Sequence, residues 1–60
     1  EANLTGATLR YADLRNVDLW HTDLRDADLR GAYLTGAALG EAWFCNTTMP
    51  DGSKNNEDCR

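Results

Sequence analysis

Few side chains in this sequence have types and spacings suited to chemistry, and its two thiols come first. Cys45 and Cys59 bracket a loop of about fifteen residues. A disulfide there would stabilise the fold by about 3 kcal/mol in the chain-entropy model, a large share of a small domain's stability. The pair predicts a disulfide, with two free thiols as the alternative. Zinc fits poorly, because the spacing is wide and no ligand cluster completes four donors. His21 is the single histidine, with no thiol near it in sequence, and reads as solvated. Ser53 is the single serine and has no plausible base. Asp26 and Asp28 are paired carboxylates, the group used for acid–base work, but nothing encloses them or raises their pKa. Asp51-Gly52-Ser53-Lys54-Asn55 opens like a calcium loop. Asn56 stands where that loop needs its Gly, and the chain ends before a twelfth-position Glu. Asn3-Leu4-Thr5 and Asn46-Thr47-Thr48 match glycosylation sequons, which are common by chance. This inventory predicts no enzyme, no metal and no cofactor.

The elements that must position these groups follow a five-residue rhythm. A large apolar residue recurs at Leu4, Leu9, Leu14, Leu19, Leu24, Leu29, Leu34, Leu39, Phe44 and Met49. Two positions before each lies a smaller one: Ala2, Ala7, Ala12, Val17, Thr22, Ala27, Ala32, Ala37, Ala42 and Thr47. An α-helix turns about 100° per residue, so this spacing scatters the leucines around it and leaves no apolar stripe. A strand alternates faces, so a period of five puts successive leucines on opposite sides. The chain must therefore change direction once per repeat. The large and small residues then point inward and the rest form the outside and the bend, giving a solenoid whose coils pair in parallel. Gly6, Gly31 and Gly36, with Asn16, Asp26 and Asn46, share the phase two after the apolar residue, and these types bend easily. Asn3, Arg10, Asp13, Arg15, Asp18, Asp23, Arg25, Asp28 and Arg30 fall on the outside. Such a narrow interior, filled by its own leucines, has no pocket.

Ala-Asp-Leu-Arg-Asn, Ala-Asp-Leu-Arg-Gly and Ala-Asn-Leu-Thr-Gly resemble the A-(D/N)-L-X-X motif of pentapeptide-repeat proteins, and the resemblance covers residues 1–50. It implies an all-β fold, a right-handed quadrilateral parallel β-helix with four repeats per coil. Residues 1–50 then make about 2.5 coils, roughly 12 Å tall at 4.8 Å per coil. Residues 51–60 follow as an irregular C-terminal capping tail. Stacking by one coil places Leu4 under Leu24 and Phe44, and Leu9 under Leu29 and Met49. Arg10 and Arg30 share an outer column, so they splay or hold an anion between them. Trp20, Tyr11, Tyr33 and Trp43 lie outside. Trp43 is expected to pack under the tail, whereas Trp20 is the better candidate for contact with another molecule. The candidate interaction surface is therefore Trp20, Arg10 and Arg30.

The stretch Phe44-Cys45-Asn46-Thr47-Thr48-Met49-Pro50-Asp51-Gly52-Ser53 is also similar to the C-terminal end of cyanobacterial and chloroplast-lumen members. This implies periplasm or thylakoid lumen, which agrees with an oxidised cysteine pair. The chain begins at Glu1, inside a repeat and without Met, which predicts a processed product, a fragment or the end of a longer solenoid. An open first coil would expose Leu4 and Leu9 and invite self-association.

The net charge of −4 disfavours nucleic acid and anionic membranes as partners. No apolar run is long enough for membrane insertion. The expected function is a non-catalytic structural or protein-interaction module with an unknown protein partner. The alternative comes from the family, some of whose members mimic DNA and bind type II topoisomerases. Mixed charge signs and the short stack argue against it here.

Overall fold

The computed structural model describes residues 2–59. Its unit is a tight turn that begins at each apolar residue. Ala7 N–H donates to the Leu4 carbonyl at 3.0 Å, and an equivalent bond closes the turns that start at Leu9, Leu14, Leu19, Leu24, Leu29, Leu34 and Leu39. The third residue of each turn has a positive φ, from 59° at Glu41 to 76° at Gly36. That combination is the mark of a type II turn. Gly, Asn and Asp enter this region cheaply. Tyr11, His21 and Glu41 occupy it as well, at a cost of about 1 kcal/mol each.

The turns are corners, and the straight pieces between them stack. Asn3 bridges in parallel to Asp23, and Asp23 to Trp43; Thr8 bridges to Asp28, and Asp28 to Thr48. Asp13 bridges to Tyr33 and Asp18 to Ala38. Each bridge therefore joins residues one coil of twenty apart, with a corner every five. Leu4 N–H donates upward to the Asp23 carbonyl, and Asp23 N–H donates down to Ala2. The same ladder recurs around the coil.

The core sits where three layers overlap. Leu24 and Leu29 are completely buried, packed with Ala27, Ala32, Ala42 and Phe44. Leu4, Leu9, Leu14, Leu34, Leu39 and Met49 pack against this cluster and are partly buried. The small inward position is less uniform than its spacing predicts. Val17 is 37% exposed, because its side of the coil has only one further layer, at Ala37 and Ala38. Thr47 fills a small position in the centre, and its hydroxyl donates to the Leu24 carbonyl at 2.7 Å. The buried oxygen is thus satisfied.

Beyond the repeats the chain turns back on itself. Strand β1, Thr47–Thr48, pairs antiparallel with strand β2, Lys54–Asn55. In lower coils the N–H of each apolar residue, and that of the third turn residue, donates to the coil above. At the top the tail supplies the acceptors. Phe44 N–H donates to Asp58 Oδ2 at 2.8 Å, Asn46 N–H to Asn56 Oδ1 at 2.7 Å, and Met49 N–H to the Ser53 carbonyl at 2.7 Å. A disulfide joins Cys45 to Cys59.

The corners make a clean prediction. Gly6 has φ +73° and nothing within 4 Å of a built Cβ, so Gly6→Ala isolates the backbone term. Gly31 has φ +72°, and its Cβ would stand 2.5 Å from the Tyr11 ring. Gly6→Ala should cost about 1 kcal/mol, and Gly31→Ala should cost more because the tyrosine must also move. Urea titration of both variants measures this, and equal costs would show that the ring adapts freely.

Candidate interaction surface

The aspartate that precedes many of the leucines holds the corner in place. Asp13, Asp18, Asp23 and Asp28 each accept, through Oδ1, the backbone N–H two residues on, at 3.0–3.2 Å; Asn3 does the same to Thr5. The acceptor must reach forward by two residues, which short Asp and Asn side chains do well. The reading of these positions as solvated exterior missed that role.

Three of these aspartates also hold an arginine, two of them through a fork from the residue two positions on. Arg15 grips Asp13 through Nε and Nη2 at 2.8 and 2.7 Å, and its guanidinium lies 5.7 Å from the centre of the Tyr33 ring one coil up. Arg25 grips Asp23 at 2.9 and 2.6 Å and lies 5.5 Å from the centre of the Trp43 ring. Trp43 therefore pairs with the arginine beneath it and stays 44% exposed, instead of being packed under the tail. The reason is register: Trp43 stands directly over Asp23, so Arg25 is its immediate neighbour.

The Arg10 and Arg30 column resolves by splaying. Arg10 Nε turns to Asp28 Oδ2 at 2.6 Å, while Asp28 Oδ1 accepts the Arg30 N–H at 3.1 Å. One carboxylate thus serves both residues.

These contacts set the charge behaviour. The Arg15 side-chain bonds, helped by its backbone N–H, lower the Asp13 carboxyl from 3.8 to about 2. Asp23 is lowered by Arg25 in the same way, and Asp28 by Arg10. A carboxyl depressed in the fold binds fewer protons than it does unfolded, so its stabilisation is complete above the unfolded pKa. It is lost as pH falls towards the folded one. Carbon-detected NMR titration should place the Asp13 midpoint near 2, and Arg15→Gln should return it towards 3.8. A wild-type midpoint of 3.8 would mean that the fork is absent in solution. Because these groups are solvent-exposed, the stability they add is small and screened by salt.

Trp20 lies elsewhere, at the corner that His21 turns. Its ring stacks on the His21 ring with centroids 3.6 Å apart and a 21° tilt. A Cβ at Gly40 would come within 2.9 Å of Trp20 Cδ1, so the indole lies close against that glycine. Trp20 nonetheless remains 49% exposed. His21 Nε2 stands 3.3 Å from Glu41 Oε2, so the histidine is tied to the corner above rather than simply solvated. Around it runs a groove. One hollow of about 280 Å³ is lined by His21, Glu41, Ala42, Trp43 and Asp58. A second, of about 420 Å³, is lined by Ala2, Asn3, His21 and Trp43. The structure thus sets Trp20 against His21, brings His21 and Trp43 to the same hollows, and leaves Arg10 and Arg30 on a different column.

Corners every five residues and parallel bridges twenty residues apart define a β-helix built from pentapeptide repeats. The family model for pentapeptide repeats, in eight copies, matches residues 1–20 and 12–49. The chain belongs to the pentapeptide-repeat family. It is similar to HetL of the cyanobacterium Nostoc sp. strain PCC 7120, a pentapeptide-repeat protein involved in regulating heterocyst differentiation. The two are 48% identical, with a TM-score of 0.89 over 90% of this chain. The match spans 23% of the HetL chain. No curated protein matches the sequence.

Proposed function

We propose that these residues form a non-catalytic protein-interaction module of a pentapeptide-repeat protein, working through the outer corner at Trp20. The observation that carries this reading is an indole held still and left open. Trp20 is 49% exposed, yet its ring is stacked on His21 and set against Gly40. Exposed aromatics of low mobility are effective anchors, because little side-chain entropy remains to be lost on binding. HetL's involvement in regulation supports a role through contact rather than chemistry. In this reading the coil is right-handed and four-sided, residues 1–50 supply about two and a half coils, and residues 51–60 cap them. The Cys45–Cys59 bond supports an oxidising compartment, periplasm or thylakoid lumen. The topoisomerase reading is weaker. Arg15, Arg25 and Arg10 offset Asp13, Asp23 and Asp28, which breaks any continuous negative stripe.

The test is capture from a cyanobacterial extract with immobilised wild type and Trp20→Ala. The reading expects a defined partner whose recovery falls by about tenfold or more in the variant, as for a hot-spot aromatic. Equal recovery, or no partner with either bait, refutes it.

A further inference from the structure

We propose that the open step at the top of the stack, above Leu34 and Leu39, receives an extended segment of a partner protein that itself carries the five-residue repeat. The proposal goes beyond the Trp20 reading and uses none of its residues. Its first support is the coil ladder. On this side of the stack five bonds join the lower layer to the upper. Leu14, Asn16 and Leu19 N–H donate to the Tyr33, Thr35 and Ala38 carbonyls, and Tyr33 and Ala38 N–H donate to those of Ala12 and Val17. One coil higher the equivalent groups are the Leu34, Gly36 and Leu39 N–H and the Ala32 and Ala37 carbonyls, and none of them is paired among the described residues. The chain leaves them bare because it departs from the coil at Pro50. Gly52 N–H returns to the Met49 carbonyl, Lys54–Asn55 runs back along Thr47–Thr48, Asp58 N–H donates to the Phe44 carbonyl, and Cys59 is tied to Cys45. Every one of these contacts lies over the half-coil of residues 41–50.

The second support is what the register demands of an occupant. Continuing the chain's own coil would set Gly52 over Ala32, Lys54 over Leu34, Glu57 over Ala37 and Cys59 over Leu39. Two charged side chains would then face the core, so the tail folds back instead. Leu34, Ala37 and Leu39 stay only partly buried, whereas Leu24 and Leu29, which have a coil above them, are fully buried. A segment that fits must place small residues over Ala32 and Ala37 and apolar ones over Leu34 and Leu39. Its extended backbone must also meet the five open groups. Two consecutive repeats satisfy both requirements, adding a layer to the ladder by strand addition. A second copy meeting this one top to top satisfies neither, because it would bring the exposed Ser53, Lys54, Asn56 and Glu57 against the leucines. The occupant is therefore a separate extended segment.

The experiment is a nitrogen-15 NMR titration of the disulfide-intact chain with the peptide acetyl-Thr-Ala-Asn-Leu-Thr-Gly-Ala-Asn-Leu-Thr-amide. The control, acetyl-Thr-Ala-Asn-Leu-Thr-Gly-Leu-Ala-Asn-Thr-amide, has the same composition, but its leucines are three apart, so only one can be seated. The expected result is a saturable shift of the Leu34, Gly36 and Leu39 amides together with slower hydrogen exchange at all three. Ordering the peptide offsets much of the gain, so binding should be roughly millimolar. The control should bind at least about fivefold more weakly, for want of one buried leucine. Leu34→Ala should weaken binding by a similar factor. The control peptide keeps the comparison decisive even where that variant folds poorly. Equal binding of the two peptides, shifts confined to the lower coil around Thr8 and Asp13, or no shift at all would overturn the proposal. So would protection of the same three amides that rises with protein concentration in the absence of peptide, because the occupant would then be a second copy.

Discussion

Leu29→Ala is expected to leave the chain largely unfolded at room temperature. Leu29 and Leu24 are the largest fully buried side chains. Each lies in the middle coil, with an apolar residue below and another above. Truncating such a leucine removes its transfer energy and leaves a cavity, at a cost of about 2–5 kcal/mol. The stacked backbone limits collapse into that cavity, because each coil is held to its neighbours by the parallel ladder. A chain this short has a total stability of roughly 3–9 kcal/mol, so one substitution can remove most of it. Leu39→Ala supplies the contrast. Leu39 is only partly buried and has one coil beneath it and none above, so its loss should cost about 1–2 kcal/mol. Urea titration followed by tryptophan fluorescence and circular dichroism compares the two. Equal costs would mean that the core is not centred on the middle coil.

The middle of the core was readable because its signal is a period, and neither helix nor strand can satisfy a period of five. The identity of the corners was half readable. Gly6, Asn16 and Asp26 announce a bend through their own conformational preferences. Tyr11, His21 and Glu41 do not, since coil closure imposes their positive φ against preference. The aspartates were legible as exterior, but their bonds to the N–H two residues on belong to the turn and are invisible until it exists. Pairing was less legible still. Arg15 and Arg25 choose the aspartate two residues back, whereas Arg10 reaches to Asp28 on the next coil. Arg10 has Thr8 rather than an aspartate two residues back, with Asp28 stacked over that threonine, whereas Tyr33 and Trp43 stand over Asp13 and Asp23, so the coil register decides which carboxylate each arginine meets. Trp43 was misassigned to the tail because it is close in sequence, although Arg25 is its neighbour by register. The groove needed His21, Trp43 and Asp58 together, and no local spacing relates those three.

Opening the Cys45–Cys59 bond should weaken the top of the stack more than its middle. The disulfide closes a loop that costs the unfolded chain about 3 kcal/mol of entropy, so Cys59→Ser loses roughly that much. For a domain of this size the melting temperature should fall by roughly 12–24 °C. The tail also holds by polar contacts, and their placement predicts where the loosening begins. Asp58 Oδ2, Asn56 Oδ1 and the Ser53 carbonyl accept the N–H groups of Phe44, Asn46 and Met49. Without the covalent tie these acceptors leave more often, and the three donors face solvent. Hydrogen exchange should therefore quicken first at Phe44, Asn46 and Met49, and later at Leu24 and Leu29, whose N–H groups are held by the Trp43 and Thr48 carbonyls. Asp58→Ala in the oxidised protein separates the two contributions. It removes the acceptor for Phe44 but keeps the tie, so exchange should rise at Phe44 with little change in melting temperature. If the reduced protein melts within a few degrees of the oxidised form and keeps Phe44 and Asn46 protected, hydrogen bonding alone anchors the tail. In the opposite limit, uniform loss of protection through Leu24 and Leu29 would mean that the stack unfolds as a single unit and that the tie at its top stabilises every coil.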